Sequence, residues 1–199
     1  MKETVVWCLL ALSLPLPVCA QSSNRSPMVD GDCAEYSELL AEEEKLPFGV
    51  RLYFFQNREY VWLCYSLPNG SRGIMDLYIE APGLPEPLNL HSSAQLGEWN
   101  PSDSSGVPRE PTSPLWWQVQ GWWATTSRFN GYRGPASDRR ARLLPSPARE
   151  AQFRKERFGR GEWRLRLEIS GVATPSGKFE TLVFPSGTDG RKLFRFHAS

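Results

Sequence analysis

Two histidines, His91 and His197, are the only side chains of the 199-residue chain that titrate near neutral pH without being perturbed. His197 stands close to the end of the sequence, where chains fray, so a Ser-His-Asp triad would have to use His91. No G-x-S-x-G elbow is present to hold a serine nucleophile. Paired carboxylates are conceivable among Asp76, Glu80, Glu86 and Glu98. Asp76 and Glu80 fall on one face of a strand about 13 Å apart, too far for either glycosidase geometry. There is no P-loop, dinucleotide fingerprint or EF-hand loop. The chain therefore reads as non-enzymatic, with a hydrolase built around His91 or a close carboxylate pair as the remaining catalytic alternative.

Binding chemistry is better represented. Asp30, Asp32 and Glu35 have a D-x-D spacing that can hold Ca²⁺ through oxygens. The competing reading, a turn and helix-capping cluster, is the favoured one, and no cofactor is expected. Two cysteines and two distant histidines lack zinc-ligand spacing. The segment 115–123, LWWQVQGWW, carries Trp116, Trp117, Trp122 and Trp123, and Trp99 lies upstream. Neighbouring residues in a strand point to opposite faces. If the segment is a regular strand, Trp117 and Trp123 share one face and Trp116 and Trp122 the other. One of each pair then lies on a surface, where a flat indole suits stacking on a sugar ring. Packing of the same indoles under Pro-rich loops is the alternative.

Charge is segregated along the chain. Residues 21–110 carry 14 acidic and 6 basic side chains, and residues 111–199 carry 7 acidic and 16 basic. Among the late cations, Arg154, Arg157, Arg164 and Arg166 form the candidate basic surface. The two halves pairing within one fold, with arginine stems covering sheet, is preferred to a polyanion-binding face. Nucleic acid is not an expected partner. An adaptor role toward an envelope protein is the second reading of this surface.

Strands must position these residues. Residues 50–55 alternate, with Val50, Leu52 and Phe54 opposing Arg51, Tyr53 and Phe55. Residues 60–67 repeat the pattern across a polar hairpin loop, and apolar residues on both faces mark central strands. In 75–81, Met75, Leu77 and Ile79 point inward. In 162–169, Trp163, Leu165, Leu167 and Ile169 oppose Arg164, Arg166 and Glu168. Residues 179–184 and 193–196 supply further strands. The stretch 149–158 fits a helix or a strand, and 33–45 a short helix or an irregular entry. Residues 100–114 and 128–147 are Pro-, Ser- and Arg-rich and read as irregular insertions. No long amphipathic helix competes. The fold class is all-β: an antiparallel β-sandwich, jelly-roll or immunoglobulin-like, with long loops and at most one or two short helices.

Residues 1–20 read as a cleaved signal peptide, with Val18 and Ala20 at −3 and −1 of the cut. A membrane anchor and a lipoprotein at Cys19 are the weaker alternatives, and no stable membrane span is expected. The mature chain would be secreted or periplasmic, with a disordered stretch at 21–28 and one domain over 29–199. Cys33 and Cys64 remain after cleavage, and an oxidising compartment favours their pairing over two unrelated buried thiols.

The opening block carries Asp30-Gly31, then Glu35-Tyr36, then the aromatic strands at 50–55 and 60–67. With 162–169 as a late strand, it resembles the carbohydrate-binding-module family 9 and the related DOMON superfamily of sandwiches. The chain departs from them in its long Pro/Arg-rich insertion. The resemblance implies a binding module that recognises glycan rather than a catalyst. Exposed tryptophans of 115–123 are then the expected contacts.

Overall fold

The computed structural model describes residues 25–126, 129–137, 139–144, 146–187 and 192–199. The proposed leader, with Cys8 and Cys19, lies outside them. Two antiparallel sheets share one apolar core. The first, sheet A, has the order β1-β2-β3-β10-β7, with β1 at Glu42–Lys45, β2 at Arg51–Gln56, β3 at Tyr60–Ser66, β10 at Ala148–Arg154 and β7 at Trp122–Ala124. The second, sheet B, runs β12-β11-β4-β5-β6, with β12 at Phe179–Phe184, β11 at Gly161–Ala173, β4 at Ile74–Glu80, β5 at Leu88–Ser92 and β6 at Leu96–Trp99. Strand β13, Phe194–Ala198, pairs with the first half of β11. The helices are short: α1 at Ala34–Glu38 and α2 at Lys155–Phe158. No helix among the described residues is long and apolar enough to cross a membrane.

The alternation read from the sequence places the core. Leu52, Phe54, Leu63, Tyr65 and Phe153 of sheet A meet Met75, Leu77, Ile79, Trp163, Leu165 and Phe196 of sheet B. The β2–β3 hairpin is set by Asn57, whose side-chain oxygen accepts from the backbone N–H of Glu59 at 2.8 Å and of Tyr60 at 2.9 Å.

Three readings change. The stretch 149–158 is strand as far as Arg154 and helix from Lys155. The segment 115–123 is not a strand: only Trp122 and Trp123 join β7, since the left-handed backbone at Trp117 (φ 68°) and Gly121 (φ 62°) breaks any ladder before it. The stretch 128–147, read as irregular, contains a separate two-stranded ladder of β8, Phe129–Arg133, and β9, Arg140–Leu143.

The entry segment has a defined place. It lies across the outer face of sheet A and builds a second apolar cluster from Tyr36, Tyr53, Trp62, Ala148 and the Cys33–Cys64 disulfide, whose Cα atoms are 5.9 Å apart. Glu150 is its polar anchor. This buried carboxylate accepts from the N–H of Asp30 at 2.8 Å, the N–H of Gly31 at 2.7 Å and the hydroxyl of Tyr36 at 3.0 Å. Asp30 and Asp32 accept the backbone N–H of Asp32 and Ala34, each at 2.9 Å, and Glu35 accepts that of Met28 at 2.6 Å. The three carboxylates considered for Ca²⁺ each accept a backbone N–H of the entry segment.

Candidate carbohydrate-binding surface

The chain between β6 and β7 crosses from one edge strand of sheet B to one edge strand of sheet A. The backbone N–H of Trp117 donates to the carbonyl of Leu96 at 2.8 Å, which holds the crossing against β6. From there the four clustered tryptophans part. Trp116 lies over Gly97, where a Cβ would come within 2.9 Å of its ring. Its Nε1 donates to the carbonyl of Glu110 at 3.0 Å. Trp117, in its left-handed conformation, points the other way and is 47% exposed.

Register decides the second pair. Trp122 is opposite Phe153 and Trp123 is opposite Gln152. Phe153 is a core residue, so Trp122 turns inward and stacks on it at 6.3 Å with the planes 17° apart. Trp123 faces outward beside Gln152 and is 52% exposed. The centroids of Trp117 and Trp123 are 6.0 Å apart with the planes at 36°. Two half-exposed indoles therefore stand side by side at the β7 edge, beside the half-buried Gln152 and the exposed Gln118.

A polar buckle fixes this platform from behind. Glu98 receives both guanidinium nitrogens of Arg157, at 2.7 and 2.8 Å, and Nε1 of Trp122 at 2.7 Å. The same guanidinium bonds to the carbonyl of Gln120. A bidentate arginine–carboxylate pair has little rotational freedom, so the loop preceding Trp122 is held in one position. Neither Glu98 nor Arg157 stood out in this role from sequence, because they lie 59 residues apart.

The remaining predicted residues separate from the platform. Trp99 lies on the outer face of sheet B, 5.9 Å from His91. Of the four arginines expected to form a basic surface, Arg157 is taken up by Glu98 and Arg154 sits over Tyr60, 5.9 Å from the ring, with Glu156 at 3.9 Å. Arg164 pairs with Glu80, and Arg166 with Glu168 at 2.6 Å, on the outer face of sheet B. These four cations are divided among separate places and each is matched by a carboxylate, which favours pairing within the fold.

No protein-family model matches the chain, and no curated protein matches it in sequence. Among solved structures it is similar to a carbohydrate-binding module of family 9 from Caldicellulosiruptor kristjanssonii in complex with cellotriose. The TM-score is 0.41 at 8% identity, over 80% of this chain and 79% of that one.

Proposed function

We propose that the protein is a secreted or periplasmic glycan-binding module whose contact surface is the Trp117–Trp123 pair. The single observation that supports this most is the exposure of both indoles, 6.0 Å apart, on a loop and edge strand held by a half-buried ion pair. Large aromatic rings left in water cost free energy unless something covers them. The C–H face of a neutral sugar is a suitable cover, because the rings supply flat apolar area while the amide of Gln152, beside Trp123, is placed for a hydroxyl. Of the five tryptophans read from sequence, Trp117 and Trp123 make the contact, Trp122 and Trp116 position the loop, and Trp99 stands apart.

Intrinsic tryptophan fluorescence and calorimetry against a panel of neutral oligosaccharides and insoluble polysaccharides test the reading. Trp117→Ala and Trp123→Ala should each weaken a bound glycan at least about fivefold, since central aromatic anchors contribute more than about 1 kcal/mol. Trp99→Phe should leave affinity unchanged. Absence of any response to the whole panel would remove the proposal.

A further inference from the structure

A second constellation lies on the outer face of sheet B. Asp76 and His91 are register partners on β4 and β5, so their side chains emerge together from the same face. His91 Nδ1 is 2.9 Å from Asp76 Oδ1, and His91 Nε2 is 3.0 Å from the hydroxyl of Ser93. Asn89 donates to the same Asp76 oxygen at 3.1 Å and fixes the carboxylate. Acceptance by Asp76 sets the tautomer: Nδ1 carries the proton and Nε2 is free to take one from Ser93. The imidazole is flanked by Trp116 at 5.5 Å and Trp99 at 5.9 Å, and its side chain is only 17% exposed.

We propose that Ser93, His91 and Asp76 form an acyl-transfer site that hydrolyses small carboxylic esters. The order of contacts, carboxylate to Nδ1 and Nε2 to hydroxyl, is the one that activates a serine. Ser93 sits in the three-residue turn between β5 and β6 rather than on a strand-to-helix elbow. The N–H of Ala94, the residue after the nucleophile, and of Gln95 make no hydrogen bond among the described residues and are the available oxyanion donors. The loop 105–114, whose own residues line an open groove of about 520 Å³, is tied to this turn and to Trp116 by two hydrogen bonds. Gln95 donates to the carbonyl of Pro111 at 3.0 Å, and Trp116 to that of Glu110 at 3.0 Å. The crowding of His91 by two indoles restricts the acyl group to a short one.

The steps balance with water as the co-reactant. Ser93 Oγ bonds to the ester carbonyl carbon while its proton passes to His91 Nε2. The bond from that carbon to the alcohol oxygen then breaks, and the leaving oxygen takes the proton. Water gives a proton to Nε2 and attacks the acyl-Ser93 ester, which releases the carboxylic acid and returns the proton to Oγ. Ser93 and His91 are the catalytic residues, and Asp76 is a positioning residue. None of these three belongs to the glycan platform, so the two proposals fail separately.

The test treats the full chain with a fluorophosphonate probe and locates the adduct by peptide mass spectrometry. Modification of Ser93, lost in Ser93→Ala and in His91→Gln, is expected. Hydrolysis of p-nitrophenyl acetate should fall by about 10²–10⁴-fold in His91→Gln, the range general-base activation supplies, and at least as far in Ser93→Ala. Asp76→Asn should lower kcat with KM unchanged, an effect that loss of packing would not produce selectively. Thermal melting confirms that each variant is folded, and Ser93→Ala removes a single oxygen from a half-buried turn. An unmodified Ser93, under conditions that label a reference serine esterase fully, overturns the proposal. Wild-type hydrolysis equal to that of Ser93→Ala overturns it as well.

Discussion

The two outer faces of the sandwich start from the same strand alternation and end differently. On sheet A the centre of the outward face is apolar, with Tyr53, Phe55, Trp62 and Cys64 around the Glu150 anchor, and the entry segment covers it. On sheet B the outward residues include Tyr78, Glu80, Arg164, Arg166 and Glu168, half-buried or exposed and paired as Arg164–Glu80 and Arg166–Glu168, and Asp76, which holds His91. An apolar face must be buried by something, and here the chain buries it with its own first residues. A face of alternating charge needs no cover, because solvent and cross-strand partners satisfy it. The platform tryptophans fall where sheet A's cover ends, at the edge opposite β1. Stability should therefore depend strongly on the covered face and weakly on the open one.

Removal of the Cys33–Cys64 disulfide is the largest expected break. The bond spans 31 residues, and opening such a loop costs about 3–4 kcal/mol in the chain-entropy model. Cys33→Ala/Cys64→Ala should lose that much in urea denaturation and become sensitive to proteolysis before β2. Protection unchanged from the wild type would show that the cover holds without its staple.

Glu150→Ala comes next. It strips the partners from two backbone N–H groups and the Tyr36 hydroxyl at a buried site. Buried donors left without acceptors cost about 1–3 kcal/mol, and the same denaturation experiment reads it. A loss equal to that of an exposed glutamate would mean that the apolar contacts alone hold the entry segment.

Glu150 also makes the cover sensitive to pH. Burial pushes its pKa up from 4.5 to about 7, against the opposing pull of the hydrogen bonds from Gly31, Tyr36 and Asp30. The folded state therefore holds a proton that the unfolded chain has released. The stabilisation is complete below about 4.5 and is lost as pH rises through about 7. In Glu150→Gln the amide oxygen accepts from the two N–H groups and its nitrogen donates to Tyr36. The wild type should gain up to about 3 kcal/mol relative to this variant between pH 8 and pH 4.5. A difference that stays flat across that range would place the carboxylate in contact with solvent.

Legibility in the sequence divides along the same line. Strands with alternating apolar residues, such as β4 and β11, were readable because one face is core and the other is charged. Strand β1, EEEK, was not: all four residues are exposed, and it is a strand only because β2 offers it a ladder. The pairing of Trp117 with Trp123 agrees with the alternation argument, yet its cause is different. Two left-handed residues and the register of β7 turn those rings outward, and a regular strand does not exist there. The Glu98–Arg157 buckle and the Glu150 anchor join residues 59 and 114 or more positions apart, which no local pattern encodes. The His91 contacts to Asp76 and Ser93 lie between these cases. Ser93 is two residues away, whereas Asp76 is reached only through the β4–β5 register.

The smallest expected effect is on the open face. Arg164 pairs with Glu80, and its side chain is 51% exposed. An ion pair this wet gains little, because water screens the attraction and two long side chains lose freedom in forming it. Arg164→Gln should change stability by less than about 1 kcal/mol, and 1 M salt should erase the difference. Arg164 lies outside both proposed sites, so glycan affinity and ester hydrolysis should be unaffected. A loss comparable to Glu150→Ala would mean that the charged face is a connected network, and that the two sides of the sandwich depend on their surfaces to a similar degree.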